Sequence, residues 1–223
     1  MLKVSEIFTS IQGEGIDIGR IAAFVRFSGC PLGCRFCDTE YAKKDGEAVS
    51  VLDLISRLEK FKIPDVVVTG GEPLIQEDIV SFLNVLSKQS WVRKIFVETC
   101  GFVFKEEVFF DKVFLNLSPK PPSMIETDYG KFLLQYIRFF PEKVNVKFLI
   151  VDETDLSYAL KIIKSEPEFF KIRGLVFQPV EIPGKPYTET VKQVLSLIFK
   201  NRVILSQFEV KVIPQVHKLL GIR

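Results

Sequence analysis

Short apolar runs alternate with segments whose apolar residues recur at helical spacing, and this alternation continues along most of the chain. The runs at 3–8, 20–28, 65–69, 94–98, 112–117, 144–151 and 174–178 read as strands. Between them, 51–61, 78–89, 129–139, 155–165 and 188–200 show the three- and four-residue periodicity of helices. Val51, Leu54, Ile55 and Leu58 share one face of the first helix, with Ser50 as its N-cap. Ile79, Phe82, Leu83 and Leu86 do the same in the second. Residues 203–212 carry further strand-like runs. Strands alternating with helices of about ten residues predict an α/β fold with a mainly parallel sheet. Helical pattern is thin between Glu98 and Lys112, so the expected architecture is an incomplete, partial TIM-like barrel, one domain over residues 1–223. In such folds functional groups gather at the carboxyl ends of the strands.

Composition narrows the class. The 223 residues are 47% hydrophobic, enough for a core that needs no disulfide staple. Thirty basic against 28 acidic residues leave a net charge of +2, which gives no bulk attraction for nucleic acid. No apolar run approaches the roughly 18 to 20 residues of a membrane span. The amino terminus lacks the apolar stretch of a secretory signal, so the expected compartment is the reducing cytoplasm.

The chemistry concentrates after the second apolar run. Cys30, Cys34 and Cys37 are spaced C-x3-C-x2-C on one short loop with Pro31 and Gly33, residues suited to a chain that curls back on itself. Three thiolates can face a common centre. Structural zinc takes four ligands, and the other candidates, Cys100 and His217, are remote in sequence. A ferredoxin would bring a fourth nearby cysteine. Three thiolates on a 4Fe-4S cluster leave one iron open to an outside ligand, and that reading fits best. Cys100 is then a buried free thiol rather than a fourth ligand.

With Phe36 before the last cysteine, this loop resembles the cluster loop of the radical S-adenosylmethionine (SAM) superfamily. Gly70-Gly71-Glu72-Pro73, after the run Val66-Val67-Val68, resembles that superfamily's GGEP turn, which meets the SAM amino group. The resemblance implies a 4Fe-4S cluster on Cys30, Cys34 and Cys37, with SAM chelating its open iron. It further implies SAM contacts at Phe36, Cys37, Asp38, Gly71, Glu72, the Ser118-Pro119-Lys120 turn and Gln178. Taken singly, Lys120 is equally a solvated charge and Gln178 a loop residue.

Residues 6–15, which include Ser10-Ile11-Gln12-Gly13-Glu14-Gly15, resemble the 7-carboxy-7-deazaguanine synthase family. So do Phe24 to Cys30, Cys37-Asp38-Thr39, Gln178-Pro179 and Pro214 to Lys218. That likeness runs in order through the chain, and implies a radical SAM domain with an N-terminal substrate-binding segment and a C-terminal capping tail. The implied reaction turns 6-carboxy-tetrahydropterin into 7-carboxy-7-deazaguanine with loss of ammonia. A radical formed from SAM takes a hydrogen from the substrate and is regenerated, so SAM serves as a cofactor. Implied substrate contacts are Ile11, Gln12, Gly13, Glu14, Arg26, Thr69 and His217, with Thr39 binding Mg2+ beside the substrate. A flavodoxin- or ferredoxin-like electron donor and a homodimer follow from the same resemblance.

Physical chemistry agrees in part. A pterin carboxylate calls for a guanidinium fork. Arg26 in an apolar strand is costly unless paired, either with that carboxylate or with an internal acid. Mg2+ takes hard oxygen ligands, which a threonine hydroxyl can join. His217 by itself is an ordinary histidine, and Thr39 an ordinary turn residue. No residue stands out as the acid or base for ammonia loss. An activase for a glycyl-radical enzyme is the nearest rival, and a non-catalytic zinc or iron–sulfur module another. The stretches 10–15 and 215–218 speak against the first, and the Gly-Gly-Glu-Pro turn against the second.

Overall fold

The computed structural model describes residues 1–126 and 130–222. Among them nine strands form one sheet. They are β1 (Leu2–Ile11), β2 (Ile21–Phe27), β3 (Glu47–Val49), β4 (Asp65–Gly70), β5 (Lys94–Thr99), β6 (Val113–Leu117), β7 (Val144–Ile150), β8 (Gly174–Pro179) and β9 (Val210–Val212). Their order is β3-β1-β2-β4-β5-β6-β7-β8-β9. β1 pairs antiparallel with β2 and β3, and from β2 onward all neighbours are parallel. The sheet does not close on itself, as a partial barrel requires.

The helices are α1 (Val51–Glu59), α2 (Ile79–Ser87), α3 (Gly130–Phe139), α4 (Glu153–Ser165), α5 (Tyr187–Lys200), α6 (Arg202–Leu205) and α7 (Val216–Leu219). Ser50 caps α1 as its sequence position predicts, accepting from the Asp53 N–H at 3.2 Å. Leu54, Ile55 and Leu58 are buried beneath it. Between β5 and β6 only a 3-10 turn at Glu106–Val108 appears, which matches the thin helical pattern there. Tyr129, the expected start of the third helix, lies outside the described residues.

Three expectations change. β1 runs on to Ile11 rather than ending near Phe8, because its pairing with β2 continues to Ile21. β3 has no signal in the sequence, since three residues are too few to show a period. Residues 203–212 split into the helix α6 and the short strand β9; an apolar run carries no period of its own, and Arg202–Leu205 turns on from α5.

Strand alternation makes the two faces. Val25, Phe27, Val66, Val68, Ile95, Val97, Val113, Leu115, Val146 and Phe148 point outward into the main core under the helices. Ala22, Phe24, Val67 and Phe96 point inward, with Phe8 stacked on Phe24 at 4.9 Å. Residues 12–20, joining β1 to β2, fold against strands across the interior. Asp17 meets Arg173 just before β8, and Ile16 occupies the space over Gly174. At the amino-terminal ends of the strands, Asp65 is fully buried between Arg93 (2.7 Å) and Arg20 (3.0 Å).

Candidate active site

The cysteine loop leaves the end of β2 and is held at both flanks. Ser28 donates its N–H to Lys3, Gly29 donates to Ala42, and Arg35 donates to Met124. Cys34 is buried, Cys30 and Cys37 half-buried, and all three are free thiols. Burial pushes the Cys30 and Cys34 thiols up, Glu72 and Cys37 add to this at Cys30 and Cys30 and Cys37 at Cys34, and the Lys120 ammonium pulls both down. In its chemistry the donor set suits a cluster: three soft sulfur ligands on one loop with a neighbouring cation. A Cβ on Gly71 would collide with the Gly29 carbonyl and come within 2.7 Å of Cys30 Cβ.

Glu72 is fully buried and does not border the cavity. Its carboxylate accepts from Leu74 N–H (3.0 Å), Thr99 Oγ1 (2.7 Å), Cys100 N–H (2.8 Å) and Cys100 Sγ (2.8 Å). It therefore shapes the turn, and what the turn turns toward the cavity is Gly70 and Gly71. Cys100 is buried, as expected; burial first and the Glu72 carboxylate second push its thiol far up.

One cavity of about 430 Å³ lies over the carboxyl ends of the strands, within the usual size of a small-molecule site. Cys30, Cys34, Phe36, Cys37, Asp38, Thr39, Gly71, Ser118, Lys120 and Gln178 border it. So do Ile11, Gln12, Gly13, Glu14, Arg26, Thr69 and His217. Of the residues singled out from sequence, only Glu72 and Pro119 are not on its wall. Gln178 is buried, and its Oε1 has no hydrogen-bond partner among the described residues. An orphaned buried acceptor facing the cavity suits a ligand that brings an N–H.

The strand register explains the polar wall. Arg26 sits beside Thr69, and Glu98 beside Asn116 beside Asn145, on successive strands. Inward-facing amides of one row then bond along it: Asn145 Nδ2 to Asn116 Oδ1, and Asn116 Nδ2 to Glu98 Oε1 at 2.5 Å. Gln12 Nε2 donates to the same Glu98 oxygen at 2.8 Å. Arg26 pairs with an internal acid, Nε to Glu6 Oε1 at 2.7 Å, with its guanidinium between the Phe8 and Tyr41 rings.

Lys147, two residues past Asn145 on the same face of β7, is buried and ion-paired with Glu14, with Glu98 at 3.8 Å. Burial alone would raise Glu14, but the Lys147 charge and the hydrogen bonds from Lys147 and Gln215 bring it down to about 2. Burial pushes Glu98 up, Glu14 adds to that, and Lys147, Asn116 and Gln12 only partly oppose it. Two carboxyls on one lysine are thus driven apart.

The carboxy-terminal segment covers the cavity. Val216 donates its N–H to the Gly13 carbonyl at 3.0 Å, and the His217 ring occupies the space a Cβ on Gly13 would need. Gln215 Nε2 reaches Glu14 (2.6 Å) and Asp38 (3.2 Å), joining the substrate side to the cysteine loop. Tyr187 fixes this segment from outside: its hydroxyl donates to the Pro179 carbonyl and accepts from Gln215 N–H.

Lys147, Glu98 and Gln215 were not among the sequence candidates. Lys147 carried the same signal as Arg26, a charge in an apolar strand. Glu98 ends an apolar run, and Gln215 lies two residues before His217.

The radical SAM superfamily model matches residues 24–112. The 7-carboxy-7-deazaguanine synthase of Thermoplasma acidophilum is 31% identical over 218 residues, covering 97% of this chain and 96% of the relative. That of Chlorobaculum tepidum is 36% identical over 182 residues, 80% of each chain. The crystal structure of QueE from Escherichia coli has the same fold, with a TM-score of 0.72 at 22% identity over 97% of this chain and 94% of that one.

Proposed function

This chain belongs to the 7-carboxy-7-deazaguanine synthases, a family of radical SAM enzymes in deazapurine biosynthesis, and on that premise we propose that it converts 6-carboxy-tetrahydropterin to 7-carboxy-7-deazaguanine with release of ammonia. The observation that carries the reading is one cavity bordered both by Cys30, Cys34 and Cys37 and by Arg26, Thr69, Glu14 and His217.

Cys30, Cys34 and Cys37 would hold the 4Fe-4S cluster, which when bound with SAM supplies the one-electron chemistry of the reaction. Asp38, Phe36, Gly71, Ser118, Lys120 and Gln178 would hold SAM, the Gln178 side-chain oxygen taking an N–H that no group among the described residues supplies. Glu72 supports this from behind by fixing the turn that carries Gly71. Arg26 meets Glu6 through Nε, which leaves its two Nη groups to present a fork to the pterin carboxylate. Ile11, Gln12, Gly13 and Glu14 offer donors and acceptors to the flat heterocycle, and His217 covers it. Thr39, at the cavity wall beside Cys37, would contribute a hydroxyl to Mg2+. The covered surroundings orient the substrate and keep out water and stray hydrogen donors. A flavodoxin- or ferredoxin-like protein as reductant, a homodimer and a cytoplasmic setting complete the proposal. No helix among the described residues is long and apolar enough to cross a membrane.

An anaerobic turnover assay tests it. The reconstituted protein is mixed with SAM, reductant, Mg2+ and 6-carboxy-tetrahydropterin, and the products are followed by mass spectrometry. The expected result is deazaguanine formed over many turnovers per SAM consumed. SAM cleaved with the pterin untouched would reject the substrate.

A further inference from the structure

We propose that Glu98 is the proton donor to the departing amine, working from its Oε2 oxygen on the cavity wall. The inference rests on the ammonia-releasing reaction just proposed and assigns a step that reaction requires.

The geometry separates the two oxygens of Glu98. Oε1 accepts from Gln12 Nε2 at 2.8 Å and from Asn116 Nδ2 at 2.5 Å, and two amide donors leave no place there for a proton. Oε2 lies 3.8 Å from Lys147 Nζ, beyond hydrogen-bonding distance, and Glu98 borders the cavity. A proton on Glu98 therefore sits on Oε2. Lys147 meanwhile is in direct contact with Glu14, so its charge is matched before it reaches Glu98. The charged groups around this pair are Glu14 and Lys147 facing Glu98, and His217 and Asp38 behind them. The raised pKa of Glu98 and the lowered one of Glu14 agree with the placement: a proton is favoured on the first carboxyl over the second, whose charge anchors the lysine.

The step balances within the site. As the carbon–nitrogen bond breaks, its electron pair stays on nitrogen, which takes the proton from Glu98 Oε2 and leaves as ammonia. The contracted ring then loses a carbon-bound proton to the Glu98 carboxylate as its double bond forms. Glu98 is reprotonated, one ammonia is released, and no oxidant or external acid is used.

The experiment compares wild type with Glu98→Gln, reading deazaguanine formation and the transfer of deuterium from labelled pterin into SAM. The substituted amide keeps a carbonyl oxygen for the two amide donors, and iron content and SAM binding check the fold. Product formation is expected to fall about 100-fold, the scale of general acid catalysis, while deuterium transfer changes no more than about threefold. Glu98→Asp should recover part of the rate. In the wild type, product formation should fall as pH rises through the Glu98 pKa, with no such limb in deuterium transfer. Equal loss of both readouts would make Glu98 a binding residue only, and an unchanged product rate would also overturn the assignment. If Glu98→Gln fails to take up iron, the wild-type profiles decide: a limb in both readouts, or in neither, overturns it. A wild type that makes no deazaguanine would instead reject the proposed function.

Discussion

Glu72 receives both the backbone N–H and the thiol of Cys100, each at 2.8 Å. The pair ties the end of β4 to the end of β5, and it fixes the turn on which Gly71 passes within touching distance of Cys30. Glu72 is thereby fixed in the frame of the turn, and the fourth cysteine of the chain is its partner.

Cys100→Ala should therefore keep a full complement of iron, while serine at Cys30, Cys34 or Cys37 should abolish the brown colour and acid-labile sulfide. The Cys100 change leaves Glu72 one donor short in a buried place, which costs about 1–3 kcal/mol of stability. Iron and sulfide counts per chain, with a denaturant titration, check both halves.

Gly13→Ala should raise the KM for the pterin about tenfold or more, the equivalent of roughly 1.4 kcal/mol, by driving His217 off the cavity. The new Cβ would come within 2.7 Å of His217 Cβ, so the carboxy-terminal segment must move. SAM binding should change less, because neither Gly13 nor His217 is among the contacts expected for SAM. Separate titrations with pterin and SAM measure the two.

Tyr187→Phe removes a hydroxyl that bonds Pro179 on one side and Gln215 on the other. The side chain is outside the cavity, so the ring of Phe should pack as Tyr does. Stability should fall by about 1 kcal/mol, and KM for the pterin should rise as Gln215 loosens from Glu14 and Asp38. Hydrogen exchange at residues 215–220 would report the loosening directly.

Asp65→Asn probes the far end of the strands and carries a pH signature. Burial pushes the Asp65 carboxyl up, but hydrogen bonds from Arg93 and Arg20 more than offset this and hold it below its ordinary 3.8. Stability from this ion pair is then complete above the unfolded value and disappears as pH falls through the depressed one. The wild type should exceed the variant by about 2–3 kcal/mol at neutral pH, less than for a fully buried pair because Arg93 reaches solvent. The gap should stay flat down to about pH 5 and close below the ordinary value. Urea titrations across that range check it.

How much of this was legible in the chain differs by element. The parallel strands β2 and β4 to β8 announced themselves because each is an apolar run closed by polar or glycine residues, while β9 is too short to do so. Glu47–Val49 did not, because its three residues pair with β1 only through contacts made in space. Cys30, Cys34, Cys37 and Gly71 lie in local motifs, so spacing was enough. Lys147 finds its partner Glu14 across 133 residues, and nothing local to either side chain points to the other. Glu98 gains its character from Gln12, Asn116 and Lys147 on three separate segments. Arg26 showed in its strand as a charge in need of a partner, but the Glu6 carboxylate that meets it is fixed by the β1–β2 register.

The contact between Gly13 and His217 also orders the assembly of the enzyme in time. A ribosome delivers Gly13 early and His217 only after every strand of the sheet has emerged. Chains emerge over seconds, and early segments can pack before late ones arrive. Until residues 215–217 dock on Gly13 the cavity lacks its cover, so a cluster inserted before docking would meet a wider entrance than one inserted after it.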